Sequence, residues 1–199
     1  MITFARAVLA AAAFTFSTLA QAQAWPAKPV KIVVPYPPGG AVDVVTRKMA
    51  AKLQEQMGQT FYVENKAGAT GTIGIAGVVQ SPADGYTLVA NDTTYALLPH
   101  IFKKLPFDHA GGLVPVAAFV FAPMGVVVKA DSKFRTLGEL IAAGRAEAHK
   151  VSYGTGGAGT MPHFATEALS IATGASFLHV PFKGAGEATM AMLSGTIDF

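Results

Sequence analysis

Two glycine-rich turns hold the residues of this chain best suited to chemistry. Pro37-Pro38-Gly39-Gly40 follows an apolar run and opens a helical pattern, and Gly154-Thr155-Gly156-Gly157-Ala158-Gly159 does the same later. Neither turn carries a Walker lysine or a G-x-S-x-G nucleophile, so nucleotide hydrolysis and α/β-hydrolase chemistry are not indicated. A helix N-terminus instead presents unpaired N–H groups and a partial positive charge, and glycine lets an anion approach that backbone. Gly39 and Gly40 at one helix start, with Gly154, Gly156, Gly157 and Gly159 at the other, read as two anion cradles suited to a molecule with a carboxylate at each end. A hydrogen bond to a charged group contributes about 1.5–3 kcal/mol. Four would approach the roughly 8 kcal/mol of micromolar binding before association costs are subtracted. Further polar contacts are therefore expected, and Tyr36, Asn91, Thr155 and Thr160 stand at strand ends or in loops where they could supply them.

Each signal also has a plainer reading. Pro-Pro-Gly-Gly alone is an ordinary turn. Asp43 sits where it could cap the first helical turn rather than touch a ligand, and Tyr36 and Phe182 could be cleft walls or core. His163 and Glu167 are four apart on one helix face, but no third ligand stands at recognisable spacing, so no metal is assigned. The second loop formally matches G-x-G-x-x-G, which makes a nicotinamide-dinucleotide-binding oxidoreductase the alternative. That fingerprint wants an acidic residue ending the next strand, where this chain has His179, Val180 and Pro181.

The elements that must position these loops are read from periodicity. "VKIVVPY" is a buried strand, Val42, Val45, Met49, Leu53 and Met57 recur at helical spacing, and Gly58 is a natural stop. "TFYVEN" is the next strand, and the loop "KAGATG" leads to a buried helix, "TIGIAGVVQS", whose Gly74 and Gly77 permit close packing. "YTLVAN" closes the unit. A short helix is expected over 94–104, strands in "LVPVAAFVF" and "MGVVVKA", and a helix from Leu137 to about Ala148 behind the Thr136/Glu139 capping box. The first order then recurs: strand "HKVSYG", glycine loop, helix "MPHFATEALSIATG", strand "ASFLHVPF", loop "KGAGE", helix "ATMAMLSG" and the start of a strand, "TIDF". This predicts an α/β protein of two lobes, each with a mostly parallel sheet and flanking helices, and ligand loops at the carboxyl ends of the strands. Residues 25–107 form the N-terminal part of the first lobe and 108–199 the second. The sequence reads as stopping inside a central strand of that second lobe, which marks it as C-terminally truncated and leaves a non-functional remnant as a further reading.

Arg6, the apolar run Ala7–Ala20 and Ala22-Gln23-Ala24 read as a secretory signal over residues 1–24, with Trp25 the first mature residue. The run falls short of the roughly 20 residues that span a bilayer. The formal charge of +3 loses Arg6 with the signal and is then close to neutral, which gives no footprint for nucleic acid or an anionic membrane. The chain has no cysteine, which removes disulfides, thiolate metal sites and cysteine catalysis.

In order along the chain, "VPYPPGGAVDVVTRKMAAKLQEQMGQTFYVENKAGATGTIG", "ADGYTL", "KKLPFD", "VSYGTGGAGTMPHFATE" and "HVPFKGAGEATMAMLSGTID" resemble the extracytoplasmic substrate-binding receptors of tripartite tricarboxylate transporters, the Bug receptors. The resemblance implies a type II periplasmic binding protein, a monomer without cofactor or catalysis. It would close over a small carboxylate and deliver it to the transporter's membrane subunits. By position, Tyr36, Pro37, Gly39, Gly40 and Asp43 match the first ligand loop. Gly154, Thr155, Gly156, Gly159, Thr160 and His163 match the second, and Asn91, Thr93 and Asp198 fall where the family also lines its cleft. The chain departs from the family at Val42, where a threonine or serine is frequent, and family members are considerably longer.

Overall fold

The structure, a computed structural model, describes residues 25–199; the expected signal segment lies outside the described residues. Strand β1 (Val30–Val34) is the middle strand of a three-stranded parallel sheet, between β2 (Phe61–Asn65) and β3 (Thr87–Val89). Its branched run is buried at four of five positions, as expected for a central parallel strand covered on both faces. Helix α1 (Ala41–Met57) connects β1 to β2 and ends where Gly58 adopts a left-handed φ of 68°. Helix α2 (Thr72–Val79) connects β2 to β3. The close approach expected at Gly74 is real: a Cβ there would sit 2.6 Å from the Lys66 carbonyl oxygen and 2.9 Å from Pro35 Cβ.

Helix α3 (Thr94–Ile101) ends earlier than the expected 104, with Phe102 already extended. The two strands expected between 113 and 130 do not form. This stretch has the branched composition of strands but no partner ladder, Pro115 and Pro123 each remove a donor, and Val114 and Phe121 are 84% and 92% exposed. Helix α4 (Leu137–Ala146) starts at the predicted capping box, with Thr136 Oγ1 accepting from Glu139 N–H and the Glu139 carboxylate accepting from Thr136 N–H.

Strand β4 (Val151–Thr155) pairs in parallel with β5 (Phe177–Pro181), and α5 (Met161–Thr173) connects them, stopped by Gly174 at φ 69°. Helix α6 (Ala185–Leu193) follows β5 and starts slightly before the expected alanine. Residues 198 and 199 lie against the other edge of β4: Phe199 N–H donates to Ser152 O and Gly154 N–H to Phe199 O, the parallel pattern, although "TIDF" forms no regular strand. Val30, Ile32, Val34 and Phe61 anchor one core, and Leu140, Val151, Tyr153 and Phe177 another. Because both sheets are parallel, the turns after β1, β2, β4 and β5 all leave from carboxyl ends of strands. No helix among the described residues is long and apolar enough to cross a membrane.

Candidate functional site

Those four turns meet. They line a cleft of about 370 Å³, formed by Pro35–Pro37 after β1, Ala67–Gly71 after β2, Gly156–Ala158 with Thr160 after β4, and Phe182–Lys183 after β5. Direct contacts join the two sheet units around it. Thr70 Oγ1 donates to Ala158 O at 3.2 Å, and Met161 N–H donates to Thr94 Oγ1 at 3.3 Å. A Cβ at Gly184 would touch Pro37 Cγ at 3.4 Å.

The Ala67–Gly71 turn has the least ordinary backbone among the described residues. Gly68, Ala69, Thr70 and Gly71 all have positive φ, at 136°, 46°, 54° and 91°. A β-branched residue in the left-handed region is strained by roughly 1–3 kcal/mol. Thr70's hydrogen bond across the cleft and the bond from Thr72 Oγ1 to Ala69 O at 2.9 Å hold the turn in place. Within the turn, Gly71 N–H donates to Gly68 O at 2.9 Å and closes it. Nothing in the residue types of "KAGATG" announces the geometry, and sequence reasoning read it only as a connecting loop.

The helix starts are fixed by a device repeated four times. In each, the residue before the N-cap donates its N–H to the side chain four positions later, in the first helical turn. Gly39 N–H donates to Asp43 Oδ2 at 2.9 Å before α1, and Arg135 N–H to Glu139 Oε2 at 2.6 Å before α4. Gly159 N–H donates to His163 Nδ1 at 3.1 Å before α5, and Lys183 N–H to Glu187 Oε2 at 3.2 Å before α6. Each is the side-chain half of a capping box displaced by one residue, the N3 side chain accepting from the residue before the N-cap; of the four, the full box forms only at Thr136 and Glu139. They place Asp43 and His163 behind their loops, as clasps for the turn.

Asp43 is 3% exposed, also accepts from Asn65 Nδ2 at 2.8 Å and pairs with Arg47 at 3.0 Å. Burial on its own would raise its pKa, but the bonds from Gly39 N–H, Arg47 and Asn65 outweigh that and hold the carboxyl below its usual range. His163 stacks on His179 with ring centroids 4.1 Å apart, and His179 stacks on Tyr153 at 4.8 Å. His179 Nε2 lies 2.8 Å from Thr155 Oγ1, and Tyr153 OH donates to Glu167 Oε1 at 2.7 Å. Burial first, then the neighbouring His163, lower the pKa of His179 against the opposing pull of Glu167. His163 Nε2 is 4.0 Å from Glu167 Oε1, and no group of three or more potential metal ligands gathers among the described residues.

Of the residues expected to form the site, the structure brings Tyr36, Pro37, Gly156, Gly157 and Thr160 to the cleft wall. The Tyr36 hydroxyl donates to Asp92 Oδ1 at 2.9 Å, and burial, with the Asp92 carboxylate beside it, pushes its pKa far above the usual phenol range. Gly40 is the N-cap of α1, where an added Cβ would meet only Pro37 O at 3.9 Å. Thr155 is buried with its hydroxyl donating to Gly157 O at 3.1 Å. Asn91 and Thr93 lie at the start of α3 outside the lining, and Asp198 accepts from Ser152 N–H and Oγ at the edge of β4. Residues of the β2 and β5 turns, Thr70 and Lys183 among them, line the cleft without having been singled out.

The G-x-G-x-x-G glycines are each accounted for by packing. A Cβ at Gly154 would drive into the Ile197 side chain, at Gly156 it would sit 3.1 Å from Ala185 N, and at Gly159 3.1 Å from Ile101 Cδ1.

Residues 45–199 match the family described as tripartite tricarboxylate transporter family receptor. The chain belongs to this family. It is 37% identical over 191 residues to a protein of the tcbD–tcbE intergenic region of Pseudomonas sp. strain P51, covering 96% of this chain and 57% of that one. To BugT of Bordetella pertussis it is 35% identical, covering 88% and 55%. The chain therefore spans a little over half the length of the curated relatives it matches. Among solved structures, the periplasmic binding protein BugD superposes with a TM-score of 0.73 at 30% identity, over 87% of this chain and 58% of that one. An R. palustris protein solved with adipate superposes with a TM-score of 0.75 at 28% identity, over the same shares. The α/β fold with two parallel sheets and flanking helices is thus that of periplasmic binding proteins.

Proposed function

We propose that this receptor-family chain captures a small carboxylate in the cleft between its four strand-to-helix turns, without catalysis, for delivery to the membrane subunits of a tripartite tricarboxylate-type transporter. The observation that carries the reading is the cleft itself. Its volume of about 370 Å³ falls at the small end of the roughly 300–1,000 Å³ usual for ligand sites, and its walls are mostly backbone and small side chains. Walls contributed by both sheet units match a ligand held between two lobes that divide near residue 107. The adipate complex of the R. palustris relative supports the choice of carboxylates. The signal-like N-terminus supports export to the periplasm, where the receptor would act as a monomer.

The residues proposed to face ligand are Tyr36, Pro37, Gly156, Gly157 and Thr160. Gly39, Gly40, Asp43, Gly159 and His163 shape the turns from behind, and Gly154 and Thr155 support the β4 turn. Isothermal titration against a panel of mono-, di- and tricarboxylates should give saturable binding to at least one member. A blank across the whole panel would end the proposal.

A further inference from the structure

We propose that Lys183 is the ion-pairing residue of the cleft and makes it prefer dicarboxylates over their monoamides. The inference rests on the receptor reading above and names what that reading leaves open, the group that meets a ligand's second charge.

A carboxylate accepts hydrogen bonds and donates none, so only walls with free N–H or O–H groups recognise it. Four lining side chains are polar: Tyr36, Thr70, Thr160 and Lys183. Tyr36 spends its hydrogen on Asp92 Oδ1, Thr70 on Ala158 O and Thr160 on Gly157 O, the last at 2.7 Å. The three hydroxyls thus turn their oxygen lone pairs, not their hydrogens, toward any ligand. Lys183 is different. Its backbone N–H is clasped by Glu187, which fixes the residue at the cleft wall, while its ammonium makes no ion pair with any acid among the described residues. It is also the one lining residue that carries a formal charge. A backbone concavity can hold one carboxylate, and Lys183 then supplies three donors and a full positive charge for the other. A monoamide offers that ammonium a neutral oxygen in place of an anion.

The test measures affinities of succinate, glutarate and adipate, each against its monoamide, for the wild type, Lys183→Gln and Lys183→Arg. All three proteins are first checked by circular dichroism for unchanged folding. The wild type should favour the tightest-binding dicarboxylate over its monoamide by about tenfold or more, the ratio set by one charge-assisted contact. Lys183→Gln should bring that ratio close to one, chiefly by weakening the dicarboxylate, and Lys183→Arg should keep it. Raised salt should erode the preference of the wild type and leave Lys183→Gln unmoved. If Lys183→Gln keeps the wild-type ratio, this inference falls while the receptor reading stands. If no member of either set binds the wild type while another member of the carboxylate panel does, this inference falls and the receptor reading stands; both fall only if the whole panel is blank.

Discussion

Replacing Asp43 by asparagine tests whether the first glycine turn is held by a buried anion. The substitution keeps the volume of the side chain and one acceptor oxygen. It fails electronically, because Oδ2 accepts from Gly39 N–H while Oδ1 accepts from Asn65 Nδ2 and faces Arg47. Whichever way the amide turns, its NH₂ meets a donor. One charge-assisted bond is lost, at roughly 1.5–3 kcal/mol. The Arg47 pair, half exposed on the arginine side, adds at most about 1 kcal/mol. Asp43→Asn should therefore lower unfolding stability by about 2–4 kcal/mol at pH 7, read from urea denaturation followed by circular dichroism. The sign with pH is fixed by the depressed carboxyl. Its stabilisation is complete above the unfolded value of about 4 and disappears as pH falls through the lower folded value. The gap between the two proteins should narrow on going from pH 7 to pH 3. A gap under about 0.5 kcal/mol at pH 7, or one that stays constant to pH 3, would refute the argument.

Gly154→Ala should destabilise the β4 unit by about 1–3 kcal/mol, since the new methyl enters space held by Ile197, Phe182 and Ala188; an unchanged denaturation midpoint would contradict the packing. For His179, the folded state refuses a proton that the unfolded state accepts near pH 6.5, so stability should be full above that value and fall as pH is lowered through it. His179→Gln should flatten that decline between pH 8 and 5, and parallel curves for the two proteins would count against it.

Most of the scaffold was legible because its signals are local. Gly58 and Gly174 end helices where a left-handed residue is needed, and Thr136 with Glu139 forms a capping box that depends on four residues only. The stretch from Leu113 to Ala130 was misread because branched residues report strand propensity, whereas a strand also needs a neighbour to complete its hydrogen bonds. The site was half legible. The turns after β1 and β4 carry glycine signals, but the turn through Ala69 and Thr70 uses left-handed backbone that its residue types do not favour. Glycine content also could not reveal that Gly39 and Gly159 donate to their own helices, because that depends on where Asp43 and His163 point. Lys183 carries no sequence signal of its own, because the role proposed for it follows from what its neighbours' hydroxyls do.

The repeated clasps at the helix starts have an entropic consequence. Fixing one residue's backbone costs roughly 1–2 kcal/mol at room temperature, and a flexible binding loop meets that cost when the ligand arrives. Here the side chains of Asp43, His163 and Glu187 already immobilise the turns before α1, α5 and α6, so the loss of freedom is borne by folding. In the proposed receptor role, modest contacts to a small solute would then translate more fully into affinity.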